Sequence, residues 1–192
     1  MSWTALVPLK QAEARKSRLS ARLSPEARQR LSLLLFDRLV TMLHEVPEIT
    51  TILPLTSVRP DGWPGDWLRD AGRGLNPELE GARESLGTVP LLVIHADLPL
   101  VEPADITAML TRAEEWGCAI APDRHREGTN AIALAAGRIF AFAFGTGSLA
   151  LHVAQTDGAA MLVERPGLGL DCDTPDDLDR AIAGGFAFPR EA

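Results

Sequence analysis

The sequence predicts an α/β domain with a largely parallel central sheet. The first observation behind this prediction is that strand-like and helix-like segments alternate along the 192 residues. The second is a continuous apolar run at residues 90–96, which is typical of a strand buried on both faces of its sheet. Pro and Gly are dispersed rather than collected in a linker, so residues 1–192 are interpreted as a single domain.

The chain opens with a predicted strand, a basic loop and a long helix. Residues 3–9 are mostly apolar and are expected to form the first strand. After the loop, Ser24 and Pro25 are typical of a helix N-cap and of the first helical position. Leucines then recur at helical spacing to about Val46, which predicts a helix ending there.

The next segment is predicted as a strand, a turn-rich stretch and a second helix. Residues 49–53 are rich in β-branched side chains and are expected to form a strand that ends at Pro54. Residues 57–74 contain two prolines and four glycines, which is typical of turns. Asn76, followed by a proline, predicts an N-cap for a helix that runs to about Leu86.

The remaining elements are shorter. Helices are expected over residues 103–116, from Ser148 onward and after Thr174, where acidic residues suit the positive end of a helix. Further strands are expected over residues 119–121, 131–134 and 161–163. Because ligands bind beyond the carboxyl ends of parallel strands, the loops after the first strand and after residues 90–96 are the expected site.

Composition and charge exclude several classes of function. The formal net charge is −7, which disfavours non-specific binding to nucleic acid or to a membrane surface. No apolar run reaches the roughly 18 residues that a membrane-spanning helix needs. The first eight residues lack the basic segment of a secretory signal, and two cysteines without metal-type spacing suit reduced thiols. A cytoplasmic location is therefore expected.

The use of lysine points to one loop. The chain has 17 Arg and only 2 Lys, and both lysines, Lys10 and Lys16, lie in a segment that also carries Arg15 and Arg18. A compact ammonium group among arginines suits a loop that contacts phosphates. The alternative interpretation is chance clustering on a solvated surface.

Three aspartates are candidates for binding a hard cation. Asp97 follows the apolar run at the ligand-binding edge, and Asp171 and Asp173 lie on one side of the chain if it is extended there. Carboxylates without nearby Cys or His ligands suit Mg²⁺. The alternative is that Asp171 and Asp173 are loop and cap residues and that Asp97 only closes a turn.

Two glycine-containing segments are candidates for binding an anion. Residues 128–130 combine a glycine with the Thr129 hydroxyl and an asparagine amide, which can bond to phosphate or carboxylate oxygens. Residues 144–148 place Gly145 and Ser148 where a helix begins, and free N–H groups there favour negative charge. An ordinary turn is the alternative for the first segment, and a glycine loop with a serine cap for the second.

Several well-known site patterns are missing from the sequence. It contains no dinucleotide-binding fingerprint, no Walker A loop and no Gly-x-Ser-x-Gly elbow. The four histidines show no metal-ligand spacing. Chemistry based on a nucleophilic serine or on a histidine-bound metal is therefore not predicted.

Taken together, these segments resemble the 2-phospho-L-lactate, phosphoenolpyruvate or 3-phosphoglycerate guanylyltransferase family of coenzyme F-420 biosynthesis. The resemblance extends over residues 3–183, and its motifs occur in the family's order. The matching stretches are residues 7–10, 14–19, 75–76, 96–100, 120–124, 128–130, 144–148 with His152, and 171–178.

The resemblance implies a three-layer Rossmann-like nucleotidyltransferase fold. It also implies the transfer of GMP from GTP to a small phosphorylated three-carbon acid, with release of pyrophosphate. Family members differ in whether the acid is 2-phospholactate, phosphoenolpyruvate or 3-phosphoglycerate. The product is expected to be labile, so hand-off to the downstream transferase is implied as well, and a homodimer is left open.

The resemblance also assigns roles to residues of this sequence. Lys16 and Asp97 are implied to be catalytic. The implied sets are Asp97, Asp171 and Asp173 for Mg²⁺; Thr129, Gly145 and Ser148 for the acid substrate; and Lys10, Arg15, Lys16, Arg18 and Asn76 for the nucleotide.

The chemistry of this reaction agrees with the residues. A phosphate monoester has a second pKa of about 6, so the attacking oxygen is already largely ionised at neutral pH. No general base is then required, and the enzyme must instead bring two anions together with cations and N–H donors.

Two other functions are left open. One is nucleotidyl transfer to another acceptor, such as the molybdenum cofactor or a sugar phosphate, although those relatives usually have a glycine-rich loop where residues 10–18 contain no glycine. The other is a non-catalytic GTP-binding module, against which the three aspartates count.

Overall fold

A computed structural model describes residues 1–9, 16–156, 158 and 161–188, except for the side chain of Ser17. Lys10 and Arg15, both predicted to bind nucleotide, lie outside the described residues. None of the helices in these ranges is long and apolar enough to cross a membrane.

Strands and helices alternate along the described chain, as the sequence predicts. The strands are β1 (Trp3–Pro8), β2 (Ile49–Thr56), β3 (Leu68–Arg69), β4 (Leu91–Ile94), β5 (Cys118–Pro122) and β6 (Thr129–Leu134). The α-helices are α1 (Pro25–His44), α2 (Leu75–Leu86), α3 (Pro103–Trp116), α4 (Ser148–Val153), α5 (Pro166–Gly169) and α6 (Pro175–Ala183). A 3₁₀ turn, Ser17–Leu19, precedes α1.

The strands form one six-stranded sheet in the order β3-β2-β1-β4-β6-β5. β1, β2, β3 and β4 run parallel, and β6 pairs antiparallel with both β4 and β5. The predicted, mostly parallel sheet is therefore confirmed. The chain moves outward from β1 to one side and returns to β4 on the other, so the strand order reverses between β1 and β4. Ligands of open α/β sheets bind at such a point.

Alternate residues of the strands feed two separate cores, which accounts for the three layers. Ala5 and Val7 of β1 pack with α1 and α3 on one face of the sheet. Leu6, between them, packs with α2 and with the buried phenylalanines of residues 140–144 on the other face. Apolar side chains on both faces are what the continuous apolar strand sequences require.

Strand β2 is longer than predicted, because the expected end at Pro54 is wrong. Leu55 O accepts a hydrogen bond from Leu9 N on the β1 side, and alternate residues of a parallel strand face opposite neighbours. The backbone nitrogen of Pro54, which carries no hydrogen, therefore faces the side of β2 away from β1. On that side β3 begins to pair with β2 only at Leu55. A proline costs little at such an open edge.

Two other predictions at the level of elements are wrong. Residues 161–163 do not form a strand; the sheet contact there is a single bridge between Ile120 and Leu162. Asn76 is not an N-cap, since α2 begins at Leu75 and its N-cap is Gly74, whose φ of 101° favours glycine. By contrast, Ser24 caps α1, accepting a hydrogen bond from Ala27 N at 3.1 Å, as predicted.

Helix α5, which the sequence did not predict, packs tightly against the start of α3. Asp105 of α3 accepts hydrogen bonds from Arg165 Nε at 2.7 Å and from Glu102 N at 3.1 Å. A Cβ atom on Gly167 would lie 2.6 Å from Leu100 O and would overlap the Asp105 carboxylate. Only glycine fits at this contact.

We expect Gly167→Ala to lower the free energy of unfolding by about 1–3 kcal/mol, because the added methyl group overpacks the contact with Asp105. Gly169→Ala in the same helix is the matched control, since its Cβ would meet nothing closer than 3.9 Å. Urea unfolding of both variants provides the measurement. Equal stabilities would contradict the packing described here.

Candidate active site

A cleft of about 470 Å³ opens at the carboxyl ends of β1 and β4, where the strand order reverses. One end is polar, and the walls between the ends are largely apolar. The residues that line it are Pro8, Leu9, Lys16, Ser32, Leu35, Leu55, Asp70, Leu75, Glu78, His95, Ala96, Asp97, Phe144, Gly145 and Asp173. The location agrees with the prediction from the two strand-end loops.

Lys16 lies between two aspartates at the polar end of the cleft. Its Nζ atom is 2.8 Å from Asp97 Oδ2 and 3.0 Å from Asp173 Oδ1. The lysine side chain is only 7% exposed. Burial opposes the charge on the ammonium group, but the charges of Asp97 and Asp173 outweigh it, so the pKa of Lys16 is raised above its usual value.

The two aspartates meet because their backbones are tied together. Cys172 N donates a hydrogen bond to Asp97 O at 2.9 Å, which docks the segment before α6 against the loop after β4. Thr174 caps α6 and exchanges hydrogen bonds with Asp177, whose carboxylate also accepts one from Asp173 N. The predicted helix start at Thr174 is thereby confirmed, and it orients Asp173.

Two of the three aspartates predicted to bind Mg²⁺, Asp97 and Asp173, line the cleft. Among the described residues, no three His, Cys, Asp or Glu side chains are arranged as a ready-made metal site. Asp97 and Asp173 nevertheless offer the oxygen ligands that Mg²⁺ takes from one or two carboxylates when substrate phosphates supply the rest. Burial, and then the charge of the nearby Asp97, raises the pKa of Asp171 to about 6. The carboxylates fit a hard cation, and the ion itself stays a prediction.

The segment before β6 is a tight turn built around Asp123. Its carboxylate accepts hydrogen bonds from the N–H groups of His125, Glu127 and Gly128 at 2.9–3.1 Å. A Cβ atom on Gly128 would lie 2.8 Å from that carboxylate, which accounts for the glycine. The turn delivers Thr129 into β6.

Thr129 and Ser148, two of the three predicted acid-binding residues, are buried. The Thr129 hydroxyl is 2.9 Å from His152 Nδ1, and the Thr129 residue is 4% exposed. Ser148 is 1% exposed, and its N–H donates to Gly145 O. Gly145 itself, with a φ of 133°, lines the cleft. Substrate binding by the three residues stays a prediction, and the structure brings only Gly145 to the cleft.

Asn76 and Arg18, both predicted to bind nucleotide, have different surroundings. The Asn76 amide donates to Phe144 O at 3.0 Å and accepts from Phe144 N at 2.8 Å, which fixes the phenylalanine that lines the cleft. Arg18 is 75% exposed and its guanidinium is 4.0 Å from Asp173. Nucleotide binding by both residues stays a prediction.

His152 supports the Phe144 wall and was not among the predicted site residues. The imidazole is fully buried and packs against Phe144, with ring centroids 5.0 Å apart. Nε2 accepts a hydrogen bond from Ala143 N at 2.9 Å, so Nδ1 carries the proton and donates to the Thr129 hydroxyl. Burial, and then the nearby His95, lowers the pKa of His152 to about 4.

Comparisons with solved structures define the fold class. The crystal structure of 4-diphosphocytidyl-2C-methyl-D-erythritol synthase from Anaerococcus prevotii covers 95% of this chain with 97% of its own, at 10% identity and a TM-score of 0.59. A CMP:2-keto-3-deoxy-manno-octonic acid synthetase in complex with CTP gives a TM-score of 0.55 at 11% identity. The chain therefore has the Rossmann-like nucleotidyltransferase fold.

Comparisons with sequences identify the family. The model described as "Guanylyl transferase CofC like" matches residues 3–186. A phosphoenolpyruvate guanylyltransferase from Rubrobacter xylanophilus is 42% identical over 100% of both chains. One from Sphaerobacter thermophilus is 38% identical over 96% of this chain and 94% of its own. The chain belongs to the CofC-like guanylyl transferase family, which confirms the resemblance seen in the sequence.

The buried neutral imidazole of His152 predicts a pH dependence of stability. Between pH 6.5 and 4 the unfolded chain binds a proton at this histidine and the native chain does not, so acidification favours unfolding. We expect His152 to contribute a loss of about 3 kcal/mol in the free energy of unfolding across this window. Urea unfolding at several pH values is the measurement.

His152→Gln should flatten that part of the pH profile, because the group whose protonation differs between the native and unfolded chains is removed. A profile as steep in His152→Gln as in the wild type would contradict a buried neutral imidazole.

Proposed function

We propose that this protein transfers GMP from GTP to a small phosphorylated three-carbon acid and releases pyrophosphate, as a step of coenzyme F-420 biosynthesis. The observation that carries the proposal is the Lys16 ammonium group between Asp97 and Asp173 at the strand-order reversal. Phosphoenolpyruvate is the first acceptor to test, because the relatives at 42% and 38% identity carry that substrate in their names. The other candidates are 3-phosphoglycerate and 2-phospholactate.

The proposed reaction is a substitution at the α-phosphorus of GTP. An ionised phosphate oxygen of the acid forms a bond to that phosphorus, and the bond to the oxygen shared with the β-phosphate breaks. Pyrophosphate leaves with the electron pair of that bond. The attacking phosphate needs no general base at neutral pH, since its second pKa is about 6. Positioning and charge stabilisation are then the main tasks of the protein.

The described residues are suited to those tasks. Lys16 and Arg18 supply positive charge next to Asp97 and Asp173. In the proposal, Lys16 binds the nucleotide phosphates, and Lys10 and Arg15 belong to the same phosphate-binding loop. Asp97 and Asp173, with Asp171 nearby, would hold Mg²⁺, which when bound neutralises charge on the transferring phosphates. Gly145, together with Thr129 and Ser148 behind it, would bind the acid.

We further propose that the protein works in the cytoplasm and passes its labile product to the downstream transferase. Supporting the first point, no helix among the described residues is fit to cross a membrane. The second rests on the chemistry of the expected product. Its test is whether the yield rises when that transferase is added, and an unchanged yield would count against hand-off.

The function is tested by measuring pyrophosphate release with Mg²⁺ and GTP against the three candidate acids. The assay should include the downstream transferase and its deazaflavin acceptor, so that the labile product is trapped. We expect release with one acid and its loss when ATP replaces GTP or when Mg²⁺ is removed. If folded protein binds GTP but releases no pyrophosphate with any of the three acids, the result would point to another acceptor or to a non-catalytic module.

We expect Asp97→Asn to lower turnover by at least about 100-fold, because the amide cannot supply the charge that the site uses. Asp66→Asn, at an exposed position away from the cleft, is the matched control. Thermal melting of both variants separates lost chemistry from lost folding. Near-wild-type turnover of Asp97→Asn would remove this carboxylate from the mechanism.

A further inference from the structure

The cleft has a second polar end, formed by the turn that follows β3. The backbone N–H groups of residues 70–73 donate hydrogen bonds to acceptors within the protein. Ala71 N and Arg73 N donate to Glu78 Oε1 at 3.1 Å each, and Gly72 N donates to Asp70 Oδ1 at 2.7 Å. Asp70 N donates to Thr56 O at 2.9 Å. All four backbone N–H groups are used inside the protein, so this turn offers the cleft no backbone donor.

Of the two carboxylates at this end, Glu78 is already satisfied. Arg73 donates to it through both Nε and Nη2 at 3.0 Å, in addition to the two backbone donors. The Glu78 residue is 3% exposed, and the hydrogen bonds from Arg73 lower the pKa of its carboxyl group to about 2. Glu78 therefore stiffens the turn and is not offered to a ligand.

Asp70 is the carboxylate at this end of the cleft that can still accept hydrogen bonds from a ligand. It lines the cleft and is half-buried. Its Oδ1 accepts from Gly72 N, and among the described residues no hydrogen bond to its Oδ2 is formed. A carboxylate only accepts hydrogen bonds, so the complementary ligand group at this end is an N–H or O–H donor.

The distance across the sheet suits a nucleotide. Asp70 follows β3, and Lys16 with Asp97 follows β1 and β4, so the two polar ends are separated by two to three strand spacings, about 10–14 Å. Leu9, Leu55 and other leucines line the cleft between them. A nucleotide with its phosphates at Lys16 can place its base against these apolar walls and the base edge at Asp70.

The edges of the four bases differ in what they offer a carboxylate. Guanine presents two neighbouring donors, the N1–H and the N2 amino group, and a carboxylate can accept from both. In adenine and cytosine the amino group lies beside a ring nitrogen that is a hydrogen-bond acceptor. A carboxylate repels that nitrogen. Uracil has one N–H between two carbonyl oxygens. Guanine is thus the base with a paired donor edge.

We propose that Asp70 selects guanine by accepting hydrogen bonds from the N1–H and the 2-amino group of the base, held in place by the turn around Glu78. This inference rests on the proposed use of GTP, because it names the residue that reads the base of that substrate. It makes Asp70 a specificity-determining residue, separate from the Lys16, Asp97 and Asp173 end of the cleft.

Calorimetric titrations of GTP, ITP, XTP and ATP into the wild type, Asp70→Asn and Asp61→Asn test the inference. Asn keeps the oxygen that accepts from Gly72 N and places an amide donor where Oδ2 was. We expect Asp70→Asn to weaken GTP binding about 10- to 100-fold, since charged hydrogen bonds are lost. XTP, which has a carbonyl oxygen in place of the 2-amino group, should bind better to Asp70→Asn than to the wild type.

Asp61→Asn is the matched control, an exposed carboxylate in the same turn-rich segment but outside the cleft. It should bind all four nucleotides as the wild type does. The wild type alone gives a second readout, because ITP lacks the 2-amino group and should bind more weakly than GTP. This comparison holds even if Asp70→Asn fails to fold.

Several outcomes would overturn the inference. Equal binding of GTP and ITP by the wild type would do so, as would an Asp70→Asn profile identical to that of Asp61→Asn. In both cases GTP binding by the wild type leaves the proposed function standing. Folded wild-type protein that binds no GTP would overturn the proposed function and the role of Asp70 with it.

Discussion

The ion pairs of Lys16 are the constraint on which the cleft depends. Asp97 and Asp173 are 76 residues apart in the sequence, and the structure brings both within 3.0 Å of one ammonium group. Two neighbouring carboxylates repel each other, and taking them out of water adds to the cost. Lys16 offsets both effects, so its position fixes the loop after β4 against the segment before α6. The backbone hydrogen bond from Cys172 to Asp97 makes the same connection without charge.

The wall of the cleft that contains Phe144 is fixed by neutral groups instead. Phe144 has both its backbone groups bonded to the Asn76 side chain, and its ring packs against His152. His152 in turn bonds to Thr129 and to the backbone of Ala143. Polar side chains that the sequence presents as ligand candidates are here used to hold apolar surface in place. Because these contacts are between neutral groups, charged phosphates in the cleft would not disturb the shape of this wall.

Much of the fold could be predicted from the sequence, because its signals are local. The N-caps at Ser24 and Thr174 and the continuous apolar run of β4 depend on neighbouring residues alone. Strand β3 could not be predicted, since two residues in a glycine-rich segment carry no periodicity. The continuation of β2 through Pro54 depends on where its neighbour begins, which only the assembled sheet determines.

The site divides in the same way. Asp97 could be placed at the ligand-binding edge because it ends a buried strand, and the cluster of lysine and arginine marked the loop that supplies Lys16. Whether a hydroxyl or amide points inward depends on partners distant in the chain, so the sequence could not show that Thr129 and Asn76 bond to the protein itself. Asp70 could not be found from the sequence, because β3, the two-residue strand that it follows, carries no signal of its own.

In the proposed function, the two polar ends of the cleft let an acidic protein bind a polyanion selectively. With a net charge of −7, long-range attraction cannot bring the phosphates in, so their binding has to come from local cations such as Lys16 and Arg18. At the other end the proposed mode places a neutral base next to Asp70 and the triphosphate two to three strands away, so the negative charge there does not oppose binding of the phosphates. In the proposed binding mode charge orients the ligand: Asp70 repels the phosphates, and the donor edge of the base is attracted to it. The same carboxylate that selects the base would then also exclude the reversed binding mode.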